Sequence, residues 1–293
     1  MKIAVFEPYP CTGYQMPLDK YWEGPENTHG GRGIETIKYW VNKYASEYNN
    51  RLDAYLLPRN ATALNWAKAN GVMICNLSVD DWLHHNEMLI KYELMLHKQA
   101  LLVTSAGNEY KDGETPVAQR EPWLAVGSVD SNYTPRPYTS WKYGKVVCCG
   151  IDGINGNFGT SFASPYVVAL AFIYYEKYFD AMGYYPSPKQ ALQWIKFNSH
   201  DVYTDGWDLK TGYGVLRLPR RWEFEDVAIK IDDKDSMVIR QYIDGVMTEK
   251  QFDLEIESTI VNDRLFLSFR EMGKVIGGAV HYDEENRTAY IGR

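Results

Sequence analysis

The chain has 293 residues, of which 45% are hydrophobic and 24% are charged, a composition that suits a globular domain of about 200 residues followed by a smaller one. Its formal net charge is −7, from 31 basic and 38 acidic residues, and no local cluster of lysine and arginine reverses this balance. A nucleic-acid partner and an anionic membrane surface are therefore excluded.

The first two thirds of the chain alternate short apolar runs with longer amphipathic segments. The run KIAVF is followed by a segment in which Ile34, Ile37, Trp40 and Val41 recur at helical spacing. Further segments of both kinds follow in the order DAYLL, NATALNWAKAN with Asn60 as its predicted N-cap, VMICNLS, WLHHNEMLIKYELMLHKQ, ALLVTSAGN, PWLAVGSV, KVVCC and a long apolar helix that starts near Ser161. This alternation predicts an α/β fold with a doubly wound, mostly parallel sheet and helices on both faces.

The same alternation predicts where functional side chains gather. Ligands of such sheets bind beyond the carboxyl ends of the strands. Glu7, Ser78 and Asn108 each follow an apolar run and so fall at that edge.

The character of the sequence changes after residue 219. Residues 220–227 are rich in charge and predict a linker between a first domain, 1–219, and a second domain, 228–293. The second domain combines short strand-like runs with one helical segment, FREMGKVIG, and this predicts a small α+β unit.

Nothing at the start of the sequence resembles a secretory signal. No basic segment is followed by an apolar stretch and a cleavage site, and no apolar run approaches the roughly 20 residues that span a bilayer. The four cysteines, Cys11, Cys75, Cys148 and Cys149, have neither CxxC spacing nor a disulfide framework. The sequence therefore predicts reduced thiols, no membrane partner, and a cytoplasmic or phage-associated protein.

The stretch NGNFGTSFASP sets a serine among small residues at the start of the long helix. Gly159 permits a tight turn, and Pro165 suits a first helical turn, where its missing N–H costs little. Ser161 then has its own backbone N–H and the positive end of the helix dipole beside it, an arrangement that stabilises an oxyanion. An ordinary serine cap gives the same letters, so the neighbouring motifs must decide between the two interpretations.

Three motifs resemble those of the subtilisin-like peptidases and occur in that family's order. NTHGGRGI resembles the histidine motif, LVTSAGNE resembles the segment that supplies the oxyanion amide, and GTSFASP resembles the serine signature GTSxASP. The resemblance implies His29 as general base, Asn108 as oxyanion donor and Ser161 as nucleophile.

The resemblance covers residues 1–219. VMICNLS resembles the family's strand beside the substrate, WLAVGSVDS resembles its VxAVGAVDS-like run, and TGYGVLRLP resembles the segment that closes the catalytic domain. It implies a subtilisin-like fold. No cofactor is expected. The loops that carry structural calcium in the family are shortened here, so the sequence does not support a calcium site and leaves structural calcium as an open alternative.

The third member of the triad departs from the family's pattern. The family's first core strand ends in an aspartate. In the corresponding segment of this chain, IAVFEP, that position is Glu7, and the resemblance implies that its carboxylate accepts the Nδ1–H of His29. Asp19 is a competing partner, because the segment between Glu7 and His29 is short. A site without an orienting carboxylate is the third alternative.

The substrate side of the resemblance is rich in acids. The residues that it sets beside the substrate are Ser78, Val79, Asp80 with its neighbour Asp81, and Glu109. Carboxylates in this region favour lysine or arginine before the scissile bond. Solvated loop acids are the alternative explanation of the same residues.

From Met237 onward the chain resembles the copper amine oxidase N-terminal-like domain. The shared pattern comprises an IDG turn, the run IVNDRLFL, the helix FREMGKV and the ending YDEENRTAYI. No cluster of histidine or cysteine accompanies it, so copper is not expected. The resemblance implies docking or self-association, with a passive stabilising appendage as the alternative.

Together these motifs predict a serine endopeptidase that cleaves a protein or peptide substrate through an acyl-enzyme. Two other interpretations stay open. One is a pseudoprotease that binds a peptide or partner without cutting it, and the other is a structural component of a larger assembly such as a phage or cell-surface particle.

Overall fold

The computed structural model of the chain describes residues 1–7, 28–78, 86–110, 115–119, 121–230, 236–243, 245–253, 259–261, 264–266, 279–283 and 288–292. The chain divides into two compact units. The first comprises Met1–Asp180 and Tyr184–Pro219, and the second comprises Ala181–Gly183 and Arg220–Arg293.

The first unit contains an eight-stranded sheet with the order β2-β1-β3-β4-β5-β6-β8-β7. Its strands are β1 (Lys2–Glu7), β2 (Asp53–Pro58), β3 (Ile74–Leu77), β4 (Leu101–Ser105), β5 (Leu124–Val129), β6 (Val146–Ile151), β7 (Ser199–His200) and β8 (Val215–Leu216). All neighbouring strands are parallel except β7, which runs antiparallel to β8 at one edge. The predicted doubly wound, mostly parallel sheet is therefore confirmed.

Within the residues that the structure describes, five helices accompany the sheet. They are α1 (His29–Ala45), α2 (Ala61–Ala69), α3 (Glu87–Leu96), α4 (Thr160–Met182) and α5 (Pro188–Phe197), and a 3₁₀ turn covers Ser46–Arg51. Asn60 caps α2 as predicted, since its side chain accepts the Ala63 N–H at 2.9 Å. None of the described helices is long and apolar enough to cross a membrane.

The helices lie on both faces of the sheet. Ala4 and Phe6 of β1 belong to a core that also contains buried residues of α2 and α3. Val5 points the other way because side chains alternate along a strand, and it lies on the face that α1 and α4 cover. Because both faces of the sheet are covered, every residue of β4 and of β5 is buried.

Helix α4 is the central helix of the first unit, and most of its residues are buried around its whole circumference. Its first turns lie directly against β6. A Cβ atom on Gly150 would lie only 2.0 Å from the carbonyl oxygen of Ala163, so only glycine permits this approach of helix to strand.

The second unit is assembled from antiparallel strands. They are β9 (Glu223–Lys230), β10 (Ser236–Ile243), β11 (Val246–Asp253), β12 (Thr259–Val261), β13 (Arg264–Phe266), β14 (Ala279–Asp283) and β15 (Thr288–Gly292). β9, β10 and β11 form one sheet, and the other four form two hairpins. β9 overlaps the predicted linker 220–227, and the predicted helix at 269–275 lies outside the described residues. The domain boundaries stay a prediction.

The contact between β6 and α4 leads to a stability test. We expect Gly150→Ala to lower the free energy of unfolding by about 1–3 kcal/mol or more, because the new methyl group meets backbone atoms that cannot move alone. Urea unfolding followed by circular dichroism measures the change.

The matched control is Gly33→Ala in α1. A Cβ there would meet Pro165 Cγ at 3.8 Å and Val5 Cγ1 at 3.9 Å, both ordinary contacts, and alanine is the better helix former. This variant should keep or slightly raise stability. Equal losses in the two variants would contradict the tight contact at Gly150.

Candidate active site

Several candidate residues lie at the carboxyl edge of the parallel sheet. β1 ends at Glu7, β3 ends just before Ser78, and β4 ends shortly before Asn108. Helix α1 begins at His29 and helix α4 begins at Thr160, next to Ser161. Parallel neighbours end on the same side, so this edge brings residues from distant parts of the chain together.

Glu7 and His29 are in direct contact. His29 Nδ1 lies 3.2 Å from Glu7 Oε1, and the two side chains are 31% and 18% exposed. Thr28 fixes the start of α1 by accepting the Gly31 N–H at 3.0 Å, and the Glu7 carbonyl accepts the Arg59 N–H at 2.7 Å. These two hydrogen bonds fix the start of α1, which carries the imidazole, and the end of β1, which carries the carboxylate.

Gly30 provides the space that the longer side chain of glutamate needs. A Cβ atom at this position would lie 2.5 Å from Glu7 Oε1 and 2.8 Å from Glu7 Cγ. The glycine after the histidine therefore allows Glu7 to lie flat against the first turn of α1. A larger residue would displace the carboxylate from His29.

Ser161 is the second residue of α4, and its hydroxyl donates to the Ser78 carbonyl oxygen at 2.6 Å. Between these described residues no hydrogen bond joins Ser161 to His29. Their shared neighbour is Phe162, whose ring centroid lies 5.4 Å from that of His29. Rotation about the Cα–Cβ bond re-aims the hydroxyl, since serine exchanges among staggered rotamers.

Pro165 differs from its predicted position. Because α4 begins at Thr160, Pro165 lies in the second turn and not in the first. Proline has no N–H, so the carbonyl of Ser161 lacks the donor that an uninterrupted helix would provide four residues later.

Asn108 is oriented by Thr160. Its Oδ1 accepts the Thr160 backbone N–H at 2.9 Å and the Thr160 hydroxyl at 3.1 Å. With the oxygen engaged in this way, the Nδ2 group of this exposed residue is the donor that the amide has left. The Thr160 hydroxyl also accepts the Gly107 N–H at 3.2 Å, so one buried threonine connects the turn after β4 to the start of α4.

Thr160 was missed by the sequence interpretation, although it stands directly before the candidate nucleophile in GTSFASP. The only signal was its place in that motif. Nothing in the local sequence indicates that its partners lie on the loop after another strand.

Asp152 anchors the loop that leads to Ser161. Its fully buried carboxylate follows β6 and accepts hydrogen bonds from Arg136 Nε at 2.8 Å, from the Gly159 N–H at 2.8 Å and from the Tyr138 hydroxyl. Burial and the bond to Asp152 raise the pKa of Tyr138 to about 12, so the phenol stays a donor. Asp152 is not among the residues predicted from the sequence, where its one signal is a lone acid at the end of an apolar strand.

Of the predicted substrate-lining residues, the structure describes Ser78 and Glu109. The Ser78 hydroxyl is turned inward, where it contacts Asn76 Nδ2 at 2.6 Å and Ser164 Oγ at 2.8 Å. The Glu109 carboxylate accepts the Asn108 N–H at 2.8 Å and the Ser140 hydroxyl at 3.2 Å, which stabilises the turn that carries Asn108. Val79, Asp80 and Asp81 lie outside the described residues, as does the competing carboxylate Asp19.

The described cysteines do not offer a second nucleophile. Cys75, Cys148 and Cys149 are free and buried thiols. Burial raises the pKa of Cys148 to about 12 and also raises the pKa values of the other two, so the reactive thiolate is suppressed. In the part of the chain that the structure describes, no three His, Cys, Asp or Glu side chains converge as metal ligands do.

Comparison with protein-family models and with curated proteins finds no match to this chain. Solved structures do match. A lanthipeptide protease shares 17% identity at a TM-score of 0.55, and the match covers 74% of this chain and 85% of that one.

Two maturation proteases match over the same share of this chain. The prenylagaramide maturation protease PagA shares 19% identity at a TM-score of 0.57, with 74% of this chain and 90% of that chain covered. The patellamide maturation protease PatA shares 18% identity at a TM-score of 0.58, with 74% and 93% covered. These matches confirm the predicted subtilisin-like α/β fold. The resemblance of the C-terminal region to the copper amine oxidase N-terminal-like domain stays a prediction.

The buried carboxylate of Asp152 leads to a second test. Asp152→Asn keeps the shape of the side chain but removes the charge that faces Arg136, and we expect a loss of about 3 kcal/mol in the free energy of unfolding. Urea denaturation measures the loss.

Asp201→Asn is the matched control. Asp201 also accepts backbone N–H groups, from Tyr203 and Gly206, but it is exposed to solvent. Its substitution should cost less than about 1 kcal/mol. Similar losses in both variants would show that the Asp152 carboxylate is not an anchor.

Proposed function

We propose that this chain is a serine endopeptidase that hydrolyses peptide bonds with Ser161 as nucleophile, His29 as general base and Glu7 as the carboxylate that orients His29. The observation that carries the proposal is the 3.2 Å contact between Glu7 and His29, at the sheet edge where Ser161 lies in the first turn of a buried helix. The fold of the matched proteases supports a peptide substrate.

The first step is proton transfer from Ser161 to His29. Because Nδ1 of His29 faces Glu7, its Nε2 is the nitrogen left to accept a proton. The Ser161 hydroxyl leaves the Ser78 carbonyl, donates to Nε2 and attacks the substrate carbonyl carbon as the proton moves. The Glu7 carboxylate stabilises the imidazolium that forms.

The oxyanion that develops meets two donors. One is Nδ2 of Asn108, which is free because Thr160 occupies the Oδ1. The other is the backbone N–H of Ser161, in the first turn of α4, where the helix dipole favours negative charge.

Collapse of the tetrahedral intermediate breaks the C–N bond, and His29 gives its proton to the leaving amine. This leaves an acyl-enzyme on Ser161. A water molecule, deprotonated by His29, then attacks the ester carbonyl, and the same donors stabilise the second oxyanion. Collapse of this intermediate breaks the C–O bond to Ser161, and His29 returns the proton to the Ser161 oxygen as the acid product leaves.

Glutamate replaces the aspartate of the family without loss of the contact to His29. The additional methylene is accommodated beside Gly30, where no Cβ obstructs the side chain. The charge and the acceptor geometry that the imidazolium needs are therefore available.

A second candidate function is that of a pseudoprotease that binds a peptide or partner without cutting it. It is favoured by one observation, the hydrogen bond of the Ser161 hydroxyl to Ser78 in place of His29. Hydrogen bonds of catalytic groups are often misaligned before substrate binds, so this observation weighs less than the Glu7–His29 contact.

The proposed function also includes a substrate preference in the first unit and a binding role for the second unit. A preference for lysine or arginine before the scissile bond rests on Asp80 and Asp81, since the Glu109 carboxylate is engaged within the protein. The second unit is proposed to dock or self-associate, and the exposed Val246 and Met247 support this role.

A fluorophosphonate probe tests the proposed nucleophile. We expect it to label the folded chain on one residue and to leave Ser161→Ala unlabelled, because the probe traps a serine that a neighbouring base activates. Mass spectrometry of the labelled peptide identifies the site. A folded parent that takes up no label would favour the pseudoprotease.

Substitutions at Glu7 and Gly30 test the orienting carboxylate. Glu7→Gln should lower kcat by about 10⁴-fold, because the neutral amide no longer stabilises the imidazolium. Gly30→Ala should lower kcat by about 10²-fold by moving the Glu7 carboxylate away from His29. Steady-state hydrolysis of a peptide substrate measures both effects.

Gly33→Ala is the control for the added methyl group, since its Cβ meets only ordinary contacts, and its activity should match that of the parent. Asp19→Asn is compared in parallel. A larger loss with Asp19→Asn than with Glu7→Gln would assign the orienting role to Asp19.

A further inference from the structure

An arginine that the proposed mechanism does not use lies beside the site. Arg32 follows His29 by about one turn of α1, and its Cζ lies 5.9 Å from the centre of the Phe162 ring. The Arg32 side chain is exposed, whereas Phe162 is buried. The ring thus supports a guanidinium that faces solvent, in a cation–π arrangement.

The position of Phe162 defines which part of a substrate would meet Arg32. His29 must face the leaving amine, because it delivers a proton there, and the oxyanion donor Asn108 lies on the side of Thr160. The Phe162 ring centroid lies 5.4 Å from that of His29, and Arg32 lies over Phe162, so both residues belong to the His29 side of the site, the side that a leaving amine would face.

The charge of Arg32 is not used within the described structure. Arg51, Arg59 and Arg136 each form an ion pair with a carboxylate, but no described carboxylate lies within ion-pair distance of Arg32. The acids nearest to it in sequence on α1 and β1 have other partners: Glu35 pairs with Lys38 at 3.0 Å, and Glu7 contacts His29. As far as the described residues go, the N–H donors of Arg32 are therefore available to an external acceptor.

We infer that Arg32 selects an acidic side chain at the first or second residue after the scissile bond. The inference rests on the proposed function. A guanidinium binds a carboxylate through two parallel hydrogen bonds, and Phe162 holds the planar group in place before substrate arrives. The net charge of −7 by itself disfavours acidic peptides. The local positive charge of Arg32 would favour an acidic side chain at this point of the cleft.

Peptides that share one acyl segment and differ only after the scissile bond test the inference. The residue after the bond is Asp, Asn or Lys in one series, and the following residue is varied in the same way in a second series. We expect kcat/KM for Asp to exceed that for Asn by about 3–5-fold in at least one series at low salt, and the ratio to shrink at high salt. Arg32→Gln should bring the ratio close to one, and Arg32→Glu should make Lys the better residue.

Lys43→Gln is the matched control, because it removes a charge about three turns further along the same helix and should keep the preference for Asp. An activated ester with the same acyl segment has no side chain after the scissile bond and reports on catalysis alone. Hydrolysis of the ester with equal cleavage of Asp and Asn peptides overturns this inference and leaves the proposed function intact. An ester that stays intact overturns both.

Discussion

The close contact between strand β6 and helix α4 determines where the groups of the candidate site lie. Gly150 has no side chain, so the backbone of Ala163 lies directly over the strand. Two residues after Gly150 the chain reaches Asp152, whose carboxylate holds the Gly159 N–H at 2.8 Å. The start of α4, which includes Ser161, is therefore fixed by two contacts: the packing of Ala163 on Gly150 and the hydrogen bond of Gly159 to the buried Asp152 carboxylate.

The remaining groups are attached to this helix start by polar contacts. Thr160 connects it to Asn108 and Gly107, and Ser78 approaches it through both its carbonyl and its hydroxyl. The Glu7–His29 pair reaches it through the ring contact with Phe162. Three strand ends and two helix starts are thus joined by short contacts, which limits the conformational freedom of each functional side chain.

The sequence predicts the parallel sheet because alternating apolar and amphipathic runs are local patterns. It also predicts that Glu7, Ser78 and Asn108 follow strands, since each of them ends an apolar run. It does not predict the bridge of Thr160 to Asn108 or the anchoring of Gly159 by Asp152. The first joins residues 52 apart, and both depend on how α4 lies against the sheet, which no local pattern encodes.

The orientation of individual side chains is also beyond local patterns. The sequence sets Ser78 beside the substrate but does not indicate the direction of its hydroxyl, which is turned toward Ser164 where the strand end packs against α4. The Ser161 hydroxyl meets the Ser78 carbonyl for the same reason. Where several partners compete for one hydroxyl, the packing of the whole core decides which of them is reached.

The dependence of the site on α4 has a consequence for biosynthesis. A ribosome releases Glu7, His29 and Asn108 well before Ser161, and residues of α4 must emerge fully before they can pack across the sheet. Parallel strands also pair late, because their contacts are distant in sequence. The nascent chain therefore cannot bring Ser161 together with Glu7, His29 and Asn108 until its own core has closed, so the candidate site is not assembled while the strands are still unfolded.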